Sequence, residues 1–223
     1  MLMNNTNAAQ TLQTTIAGAD ILLHSLKAIF YTAENALIIS DAHLGKADHF
    51  RKSGIAVPQK VNMTNLDRLN QLITEFNPDR VIFLGDLFHS SMNAAWNDFD
   101  KLINGYSNTL GELVKGNHDI LPQAVYNSSI LKIYEDELIL GPFLLTHIPK
   151  EEKTELYNLA GHIHPGVVMK GKAKQYLKLP CFFFSDWQGI VPAFGDFTGL
   201  YKMTAKGNDQ VYVVSGEKVV RVR

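Results

Sequence analysis

Five apolar runs in this chain end in side chains that can bind a metal ion. The ligand atoms are oxygen and imidazole nitrogen, with no thiolate, and this donor set suits manganese, iron, zinc or cobalt. Glycine precedes three of the groups and permits the sharp turns that a crowded centre requires. The side chains are Asp41 and His43, then Asp86, then Asn117 with His118, then His147, and finally His162 with His164.

The number of these side chains points to more than one metal ion. One zinc ion needs roughly four protein ligands, and the chain offers more than that. With Asp86 as a bridge, the set could hold two ions about 3.5–4 Å apart, as binuclear hydrolases do. Taken singly, His147 fits a hydrogen-bonded turn better than a metal site, and Asp41 fits a turn or helix cap. Their joint occurrence at five strand ends favours a binuclear centre.

The pattern of apolar residues predicts the elements that position these side chains. In the first half, β-rich runs at 36–39, 80–84 and 110–114 alternate with two helical patterns. This alternation predicts an α/β arrangement, in which ligands bind outside the carboxyl ends of the strands. The apolar stripes are Leu66, Leu69, Ile73 and Phe76 in the first helix and Trp96, Phe99, Leu102 and Ile103 in the second.

The second half of the chain is predicted to be mostly antiparallel strand, because short apolar runs follow one another closely with turn residues between them. Residues 210–223 are predicted to form a C-terminal hairpin, and residues 1–19, rich in Asn, Thr, Gln and Ala, a partly ordered extension. The absence of a linker or repeat favours a single domain over 1–223. The runs lie at 130–133, 137–140, 143–146, 155–160, 167–169, 177–184 and 189–194.

Composition is that of a soluble globular protein, with 46% hydrophobic and 19% charged residues in a chain of 223. The formal net charge is -1, so any binding of nucleic acid needs a local basic patch. The single cysteine, Cys181, excludes an internal disulfide and fits a reducing compartment. With no signal-peptide pattern and no membrane-spanning stretch, a cytoplasmic location is expected.

The motifs at the five strand ends resemble those of the calcineurin-like metallophosphoesterases, over residues 41–164. The resemblance implies a four-layer αββα sandwich, with two sheets flanked by helices and the metals at the sheet edge. The matching motifs are Asp41-Ala42-His43, Gly85-Asp86, Gly116-Asn117-His118-Asp119, His147 and Gly161-His162-Ile163-His164.

The family resemblance also implies a role for each side chain. His118 would be a catalytic histidine that binds no metal, and Asp119 would orient it. Asp86 would bridge the two ions. The remaining ligands would be Asp41, His43 and His164 for the first ion and Asn117, His147 and His162 for the second.

A narrower resemblance, to the bacterial ligase-associated DNA-damage-response endonucleases (PdeM type), covers most of residues 36–200. It implies a manganese-dependent phosphodiesterase acting on DNA, with a functional link to a DNA ligase, a helicase and a nuclease. The motifs that carry it include His43-Leu44-Gly45-Lys46, Phe50-Arg51-Lys52-Ser53-Gly54, Gly85-Asp86-Leu87-Phe88-His89-Ser90, Leu179-Pro180-Cys181-Phe182-Phe183 and Pro192-Ala193-Phe194-Gly195.

Several further residues are candidates for contact with substrate. Lys46 and Arg51 follow the first ligand pair and either reach a phosphate or lie in a solvated loop. His89 stands where the wider family often has Asp or Arg, and either supports the site or caps a loop. The lysines at 170, 172, 174 and 178 either hold a nucleic-acid backbone or guard a strand edge.

Two features near these lysines are better explained by packing. The aromatic run at 182–184, with Trp187, could stack bases, but a strand buried on both faces accounts for it better. Cys181 beside it lacks a phosphatase-type cysteine loop, so a packed thiol is expected.

The leading hypothesis is a binuclear phosphodiesterase or endonuclease acting on DNA during repair. Hydroxide shared by the two ions would attack phosphorus, and His118 would assist the departing oxygen. A phosphomonoesterase or nucleotide pyrophosphatase is the alternative enzyme, because one metal core serves both ester types. A non-catalytic scaffold is a third possibility, against which the intact ligand set argues. The oligomeric state stays open.

Overall fold

The computed structural model describes residues 10–46, 60–88, 94–122, 125–126, 130–170, 176–196 and 198–223. Two β-sheets pack face to face, and helices cover the outer face of the first sheet. This arrangement confirms the predicted sandwich of two sheets in the α/β class. None of the helices in these ranges is long and apolar enough to cross a membrane.

The first sheet carries the strands that lead to three of the five ligand groups. Its strands, in sheet order, are β1 (Thr11–Ile16), β2 (Ala19–His24), β3 (Ala28–Tyr31), β4 (Ala36–Ser40), β5 (Arg80–Leu84), β6 (Leu110–Val114) and β7 (Lys132–Tyr134). β1 to β4 pair antiparallel, whereas β4 to β7 pair parallel. Ser40 lies opposite Leu84, and Leu84 opposite Val114, so the carboxyl ends of β4, β5 and β6 are level.

Helices α1 (Lys60–Phe76) and α2 (Ala94–Asn104) pack on this sheet and precede β5 and β6 respectively. α1 buries Leu69 and Ile73 at the predicted four-residue spacing. Asn77 ends it in a left-handed conformation (φ 44°) and donates its N–H to the carbonyl of Ile73 at 2.8 Å. Each helix returns the chain to the amino end of the sheet, so that successive parallel strands end at the same edge.

The second sheet has nine strands among the described residues. They are β8 (Glu137–Leu140), β9 (Phe143–Thr146), β10 (Tyr157–Ala160), β11 (Pro165–Lys170), β12 (Tyr176–Phe184), β13 (Gln188–Ile190), β14 (Tyr201–Lys202), β15 (Gln210–Ser215) and β16 (Lys218–Arg221). The sheet order is β14-β11-β12-β13-β10-β9-β8, and the hairpin β15–β16 joins it along β12.

Most strand pairs in the second sheet are antiparallel, as expected, but the strands at its centre are parallel. β9, β10 and β13 run parallel, with Thr146 opposite Ala160 and Ala160 opposite Ile190. Residues 148–156 return the chain between β9 and β10 without a helix. Because β9 and β10 end level with each other, the histidines that follow them leave the sheet at the same edge.

The space between the sheets is filled by alternate residues of the central strands. Ile38 of β4 and Ile82 of β5 face the second sheet, whereas Leu37 of β4 packs towards the helices. Phe182 and Phe184 point into the inter-sheet core, which confirms that the aromatic run is buried.

The outer face of the second sheet is covered without a helix in the part of the chain that the structure describes. Cys181 and Phe183 lie on this face and pack with Val211, while Met203 and Ala205 cover them. Burial raises the pKa of the Cys181 thiol to about 12, so it is a packed thiol, as predicted.

The structure refines the sequence expectation for three segments, of which the run at 130–133 contributes to β7 and pairs parallel with β6 in the first sheet. β1 begins at Thr11, inside the expected N-terminal extension, because this segment pairs with β2 and completes the sheet edge. The run at 189–194 leaves the second sheet after Ile190 and crosses to the end of β4. There Phe194 N–H donates to Ser40 O at 2.8 Å and Gly195 N–H to Asp41 O at 3.0 Å.

Candidate metal centre

The backbone turns sharply at the ends of the strands that carry the candidate ligands. Asp41, His43, Asp86, His162 and His164 all adopt the left-handed conformation, with φ between 45° and 66°. Side chains with a Cβ rarely adopt this conformation, and such strain concentrates at functional sites. The strain is therefore shared by the candidate ligands of both sheets.

Two glycines make room for the ligands. Gly85 has φ 72°, and a Cβ there would overlap the ring of His147. A Cβ at Gly161 would overlap the Ser40 hydroxyl and the Asp41 carboxylate. The close approach of the two sheet edges therefore requires glycine at these strand ends.

The first candidate group consists of Asp41, His43 and His164, whose ligand atoms lie within 4.8 Å of one another. Nδ1 of His164 contacts the carbonyl oxygen of Thr198 at 2.9 Å, which places its proton there and frees Nε2. That Nε2 lies 3.1 Å from Oδ1 of Asp41. Oδ1 is buried and has this imidazole as its polar neighbour, so a cation can take the place of a proton between the two atoms.

The second candidate group consists of Asp86, His147 and His162, with Asn117 beside it. Nδ1 of His147 contacts the carbonyl oxygen of Leu84 at 2.9 Å, so its Nε2 is the free acceptor. Three acceptor atoms lie around that Nε2: Nδ1 of His162 and Oδ1 of Asn117, each at 3.1 Å, and Oδ1 of Asp86 at 3.4 Å. A divalent cation satisfies such a convergence of lone pairs.

Asp86 lies between the two groups. Its Oδ1 is 3.4 Å from Nε2 of His147, and its Oδ2 is 3.8 Å from Nε2 of His43. The carboxylate is almost completely buried, and Oδ1 also accepts the backbone N–H of His118 at 2.9 Å. One side chain thus faces both groups, as a bridging ligand must.

The electrostatics favour the charged form of the Asp41 carboxylate and the neutral form of the exposed His162. Burial alone would raise the pKa of Asp41, but His164, His147 and the Ser40 hydroxyl lower it below its ordinary value. Burial and then the neighbouring His147 lower the pKa of His162. An ionised carboxylate beside a neutral imidazole is the form in which both groups bind a metal.

His118 lies at the edge of the first group. Its ring centroid is 5.6 Å from that of His43, with the two rings nearly perpendicular. The side chain belongs to neither of the two candidate groups. This position, next to the candidate ligands in space, suits a residue that transfers a proton.

Asp119 binds backbone groups of two loops. Its carboxylate accepts N–H from Gly116 at 2.8 Å, Leu87 at 3.0 Å and Phe88 at 3.3 Å. Burial raises the pKa of this carboxyl to about 6 in spite of these bonds. Asp119 therefore ties the loop after β5 to the loop that carries His118, and so positions His118 through the backbone.

The other residues predicted to contact substrate are only partly described. Lys46 is half-buried beside the first group, where burial lowers its pKa against the opposing effect of Asp86 and Asp41. Arg51 and His89 lie outside the described residues, as do Lys172, Lys174 and the side chain of Lys170. Lys178 is exposed, and its ammonium group donates to the carbonyl oxygen of Leu200.

Two supporting residues escape sequence reasoning for different reasons. Thr198 acts through its carbonyl oxygen, which any residue provides, so its side chain carries no signal. Asn158 is fully buried within the apolar strand β10. A polar residue inside an apolar run is a signal that can be recognised in the sequence. Asn158 accepts the N–H of Lys150 at 2.9 Å and donates to Thr146 Oγ1 at 2.9 Å, which fixes the loop after His147.

A cavity of about 570 Å³ opens beside the second group. It is lined by Asn117 and His147 and also by charged residues, namely Lys115, Lys150, Glu135, Asp136 and Glu151. Lys115 pairs with Glu135 at 2.9 Å. A substrate group bound at the metals therefore has room to extend along this edge of the sheets.

The fold is similar to those of solved structures. Pseudomonas putida nuclease MPE superposes with a TM-score of 0.80 and 28% sequence identity, covering 95% of this chain and 100% of that chain. The Escherichia coli phosphoesterase Yfce matches with a TM-score of 0.44 and 14% identity, over 81% of this chain and 88% of that chain. Among curated proteins, none matches this sequence.

The family model for calcineurin-like phosphoesterases matches residues 35–217. This range includes all five ligand-bearing strand ends and both candidate groups. The chain therefore belongs to the calcineurin-like phosphoesterase family and is a metal-dependent phosphoester hydrolase.

Proposed function

We propose that this protein is a two-metal phosphodiesterase that cleaves phosphodiester bonds in nucleic acid, with single-stranded DNA as the substrate to test first. The single observation that carries the proposal is the carboxylate of Asp86, which faces both ligand groups at once. The nuclease named as a structural match, 28% identical over 95% of this chain, supports a polymeric diester over a small monoester.

The residues are assigned to the two ions by their grouping. Asp86 would bridge the two ions, and Asn117 would join the second group through its amide oxygen, which lies 3.1 Å from Nε2 of His147. The other ligands are Asp41, His43 and His164 for the first ion and His147 and His162 for the second. When bound, two divalent ions supply a hydroxide nucleophile near neutral pH and neutralise charge on the phosphate.

The protein's own groups act on the leaving oxygen and on the phosphate. His118, near both His43 and Asp86, donates a proton or hydrogen bond to the departing oxygen. Asp119 holds the loop that carries it. Lys46, half-buried beside the first group, pairs with a non-bridging oxygen of the phosphate.

Manganese is the proposed native metal. The donors are carboxylate, amide and imidazole, without thiolate, and such a set suits manganese, with iron, zinc and cobalt as competitors. The resemblance to ligase-associated endonucleases extends the proposal to DNA repair in the cytoplasm, in functional association with a DNA ligase, a helicase and a nuclease.

The proposal is tested with metal-free protein reloaded with manganese, iron, zinc or cobalt. The substrates are single-stranded DNA, duplex DNA, RNA, an aryl phosphodiester and the matching aryl monoester. We expect bound metal to approach two ions per chain and manganese to support cleavage of single-stranded DNA and the diester. Turnover of the monoester alone would replace the proposal with a phosphatase, and absence of both metal and turnover would favour a scaffold.

A further inference from the structure

Lys27 lies in an unusual place for a lysine. It closes the turn between β2 and β3 with φ 65°, a left-handed conformation, and donates its N–H to the carbonyl of His24 at 2.9 Å. Glycine or asparagine is the usual residue for such a turn. The side chain is only 13% exposed, so this strained turn directs the ammonium group towards the protein interior and away from solvent.

The charge of this ammonium group is only partly compensated. Its Nζ donates to the carbonyl of Gly195 at 3.3 Å and lies 3.9 Å from Oδ1 of Asp196. Arg68 binds the other oxygen of Asp196 at 3.0 Å, so two cations share one carboxylate. Burial, and then Arg68, lower the pKa of Lys27 to about 8, with Asp196 opposing. A bound anion would relieve this excess of positive charge.

A cavity of about 380 Å³ lies against this group. Lys27, Lys178 of β12 and Asp196 all line it, so lysines from two separate elements face it beside one carboxylate, which Arg68 also binds. Gly195 and Thr198 form a wall that it shares with the first ligand group. Gly195 N–H donates to Asp41 O at 3.0 Å, and the Thr198 carbonyl contacts His164 at 2.9 Å.

The surface beyond the cavity continues with an aromatic side chain. Lys178 and Pro180 of β12 both line the cavity, and Tyr176 precedes them on the same face because alternate residues of a strand share a face. Tyr176 is 65% exposed. Ammonium groups next to an exposed aromatic ring form the combination by which proteins hold single-stranded nucleic acid.

We propose that this cavity is a subsite for a phosphate of the nucleic-acid strand that flanks the scissile phosphate. Lys27 and Lys178 bind its oxygens, and Tyr176 stacks on an adjoining base. The subsite rests on the proposed function, since it serves the same strand that the metal centre cleaves. It lies on the side of the first ligand group, whereas the larger cavity lies beside the second.

A purely structural role for Lys27 makes a different prediction. As a clamp on Gly195 and Asp196, Lys27 would only hold the segment that fixes His164, and its loss would harm every substrate equally. As a phosphate ligand, it affects only substrates long enough to reach the cavity. Lys178 and Tyr176 are exposed, so their variants test the subsite even where Lys27→Met weakens folding.

The experiment compares Lys27→Met, Lys178→Met and Tyr176→Ser with Lys218→Met, which removes an exposed lysine outside the cavity. Affinity for a labelled single-stranded oligonucleotide is measured at several salt concentrations. The value of kcat/KM is measured on that strand and on an aryl phosphodiester. We expect each cavity variant to weaken strand binding roughly tenfold. Each lysine variant should also reduce the slope of log affinity against log salt concentration by about 0.7. Losses on the aryl diester should be far smaller.

Equal losses on both substrates, or strand binding unchanged in both Lys178→Met and Tyr176→Ser, would overturn the subsite. A wild-type protein that cleaves DNA while these variants behave like Lys218→Met would remove the subsite and leave the proposed function standing. A wild-type protein that neither binds nor cleaves any oligonucleotide would remove both.

Discussion

The backbone N–H of His118 donates a hydrogen bond to Oδ1 of Asp86 at 2.9 Å. The residue proposed to protonate the leaving group is therefore tied to the proposed bridging ligand through its main chain. The proposed proton transfer uses its imidazole instead. This separation means that truncating the side chain of His118 leaves the contact with Asp86 intact.

His118→Ala is therefore expected to retain both metal ions and to lose activity. The loss should be about 10²- to 10⁴-fold on a diester with a poor leaving group, and much smaller with a good one, because a good leaving group needs no proton. Metal content per chain and kcat on the two diesters provide the measurement. Loss of metal from the variant would show that the imidazole is itself a ligand.

Asp86→Ala is expected to weaken binding of both ions. The carboxylate faces His147 at 3.4 Å and His43 at 3.8 Å, so its loss affects each group. We expect metal affinity to fall roughly a hundredfold or more at both sites, by titration with manganese. Asp67→Ala, which removes an exposed carboxylate of α1, is the matched control. A variant that still binds two ions tightly would exclude the bridging role.

The sequence predicted the positions of the ligand groups because each follows a short apolar run that becomes a strand. Ser40, Leu84 and Val114 are the last residues of three level strands, and the first predicted side chain follows each of them within three residues. Register could not be read from the chain, since parallel pairing joins segments far apart in sequence. The level ends of β9 and β10, which bring His147 and His162 together, are of this kind.

Other parts of the site depend on contacts that residue type does not encode. The apolar run at 189–194 has the composition of a strand, yet after Ile190 it hydrogen-bonds to Ser40 and Asp41 of the other sheet. Lys27 looks like an ordinary surface lysine in a turn, and only the packed structure directs its ammonium group inward. Tertiary contacts determine both conformations, because the local sequence preferences are compatible with a strand or a loop and with a buried or an exposed lysine.

Asn158→Ala is expected to loosen the loop after His147 and to destabilise the fold. The amide is fully buried and binds Lys150 N–H, Leu144 O and Thr146 Oγ1, so its removal leaves buried polar groups without partners. We expect a loss of about 3 kcal/mol in the free energy of unfolding, and weaker binding of the second ion. Denaturant unfolding and manganese titration measure the two effects.

Gln188→Ala is a milder variant of the same hydrogen-bond network and is compared with Asn158→Ala. Gln188 donates to Asn158 Oδ1 at 3.0 Å and to Lys150 O at 2.8 Å, so it supports the same loop less directly. Its loss should lower stability and affinity for the second ion in the same direction by a smaller amount. Unchanged manganese binding in Asn158→Ala would show that the amide network has no effect on the ligand His147.

His24 is expected to make the fold less stable in mild acid. The side chain is fully buried, Nδ1 accepts the N–H of Leu26 at 3.0 Å, and burial lowers its pKa from 6.5 to about 4. The unfolded chain therefore takes up a proton near pH 6.5, whereas the folded chain does so only near pH 4. The contribution of His24 to stability is full above pH 6.5 and falls by at most about 3 kcal/mol as the pH drops to 4.

His24→Asn separates this effect from the neighbouring carboxylate, because the amide oxygen can still accept the Leu26 N–H and does not titrate. Glu75 lies 3.4 Å from Nε2 of His24, and burial raises its pKa, which favours the folded state at lower pH and opposes the effect of His24. The free energy of unfolding measured from pH 7 to pH 4 should therefore fall less in His24→Asn than in wild type. Parallel curves would mean that Glu75 stabilises the imidazolium enough to cancel the cost of burying it.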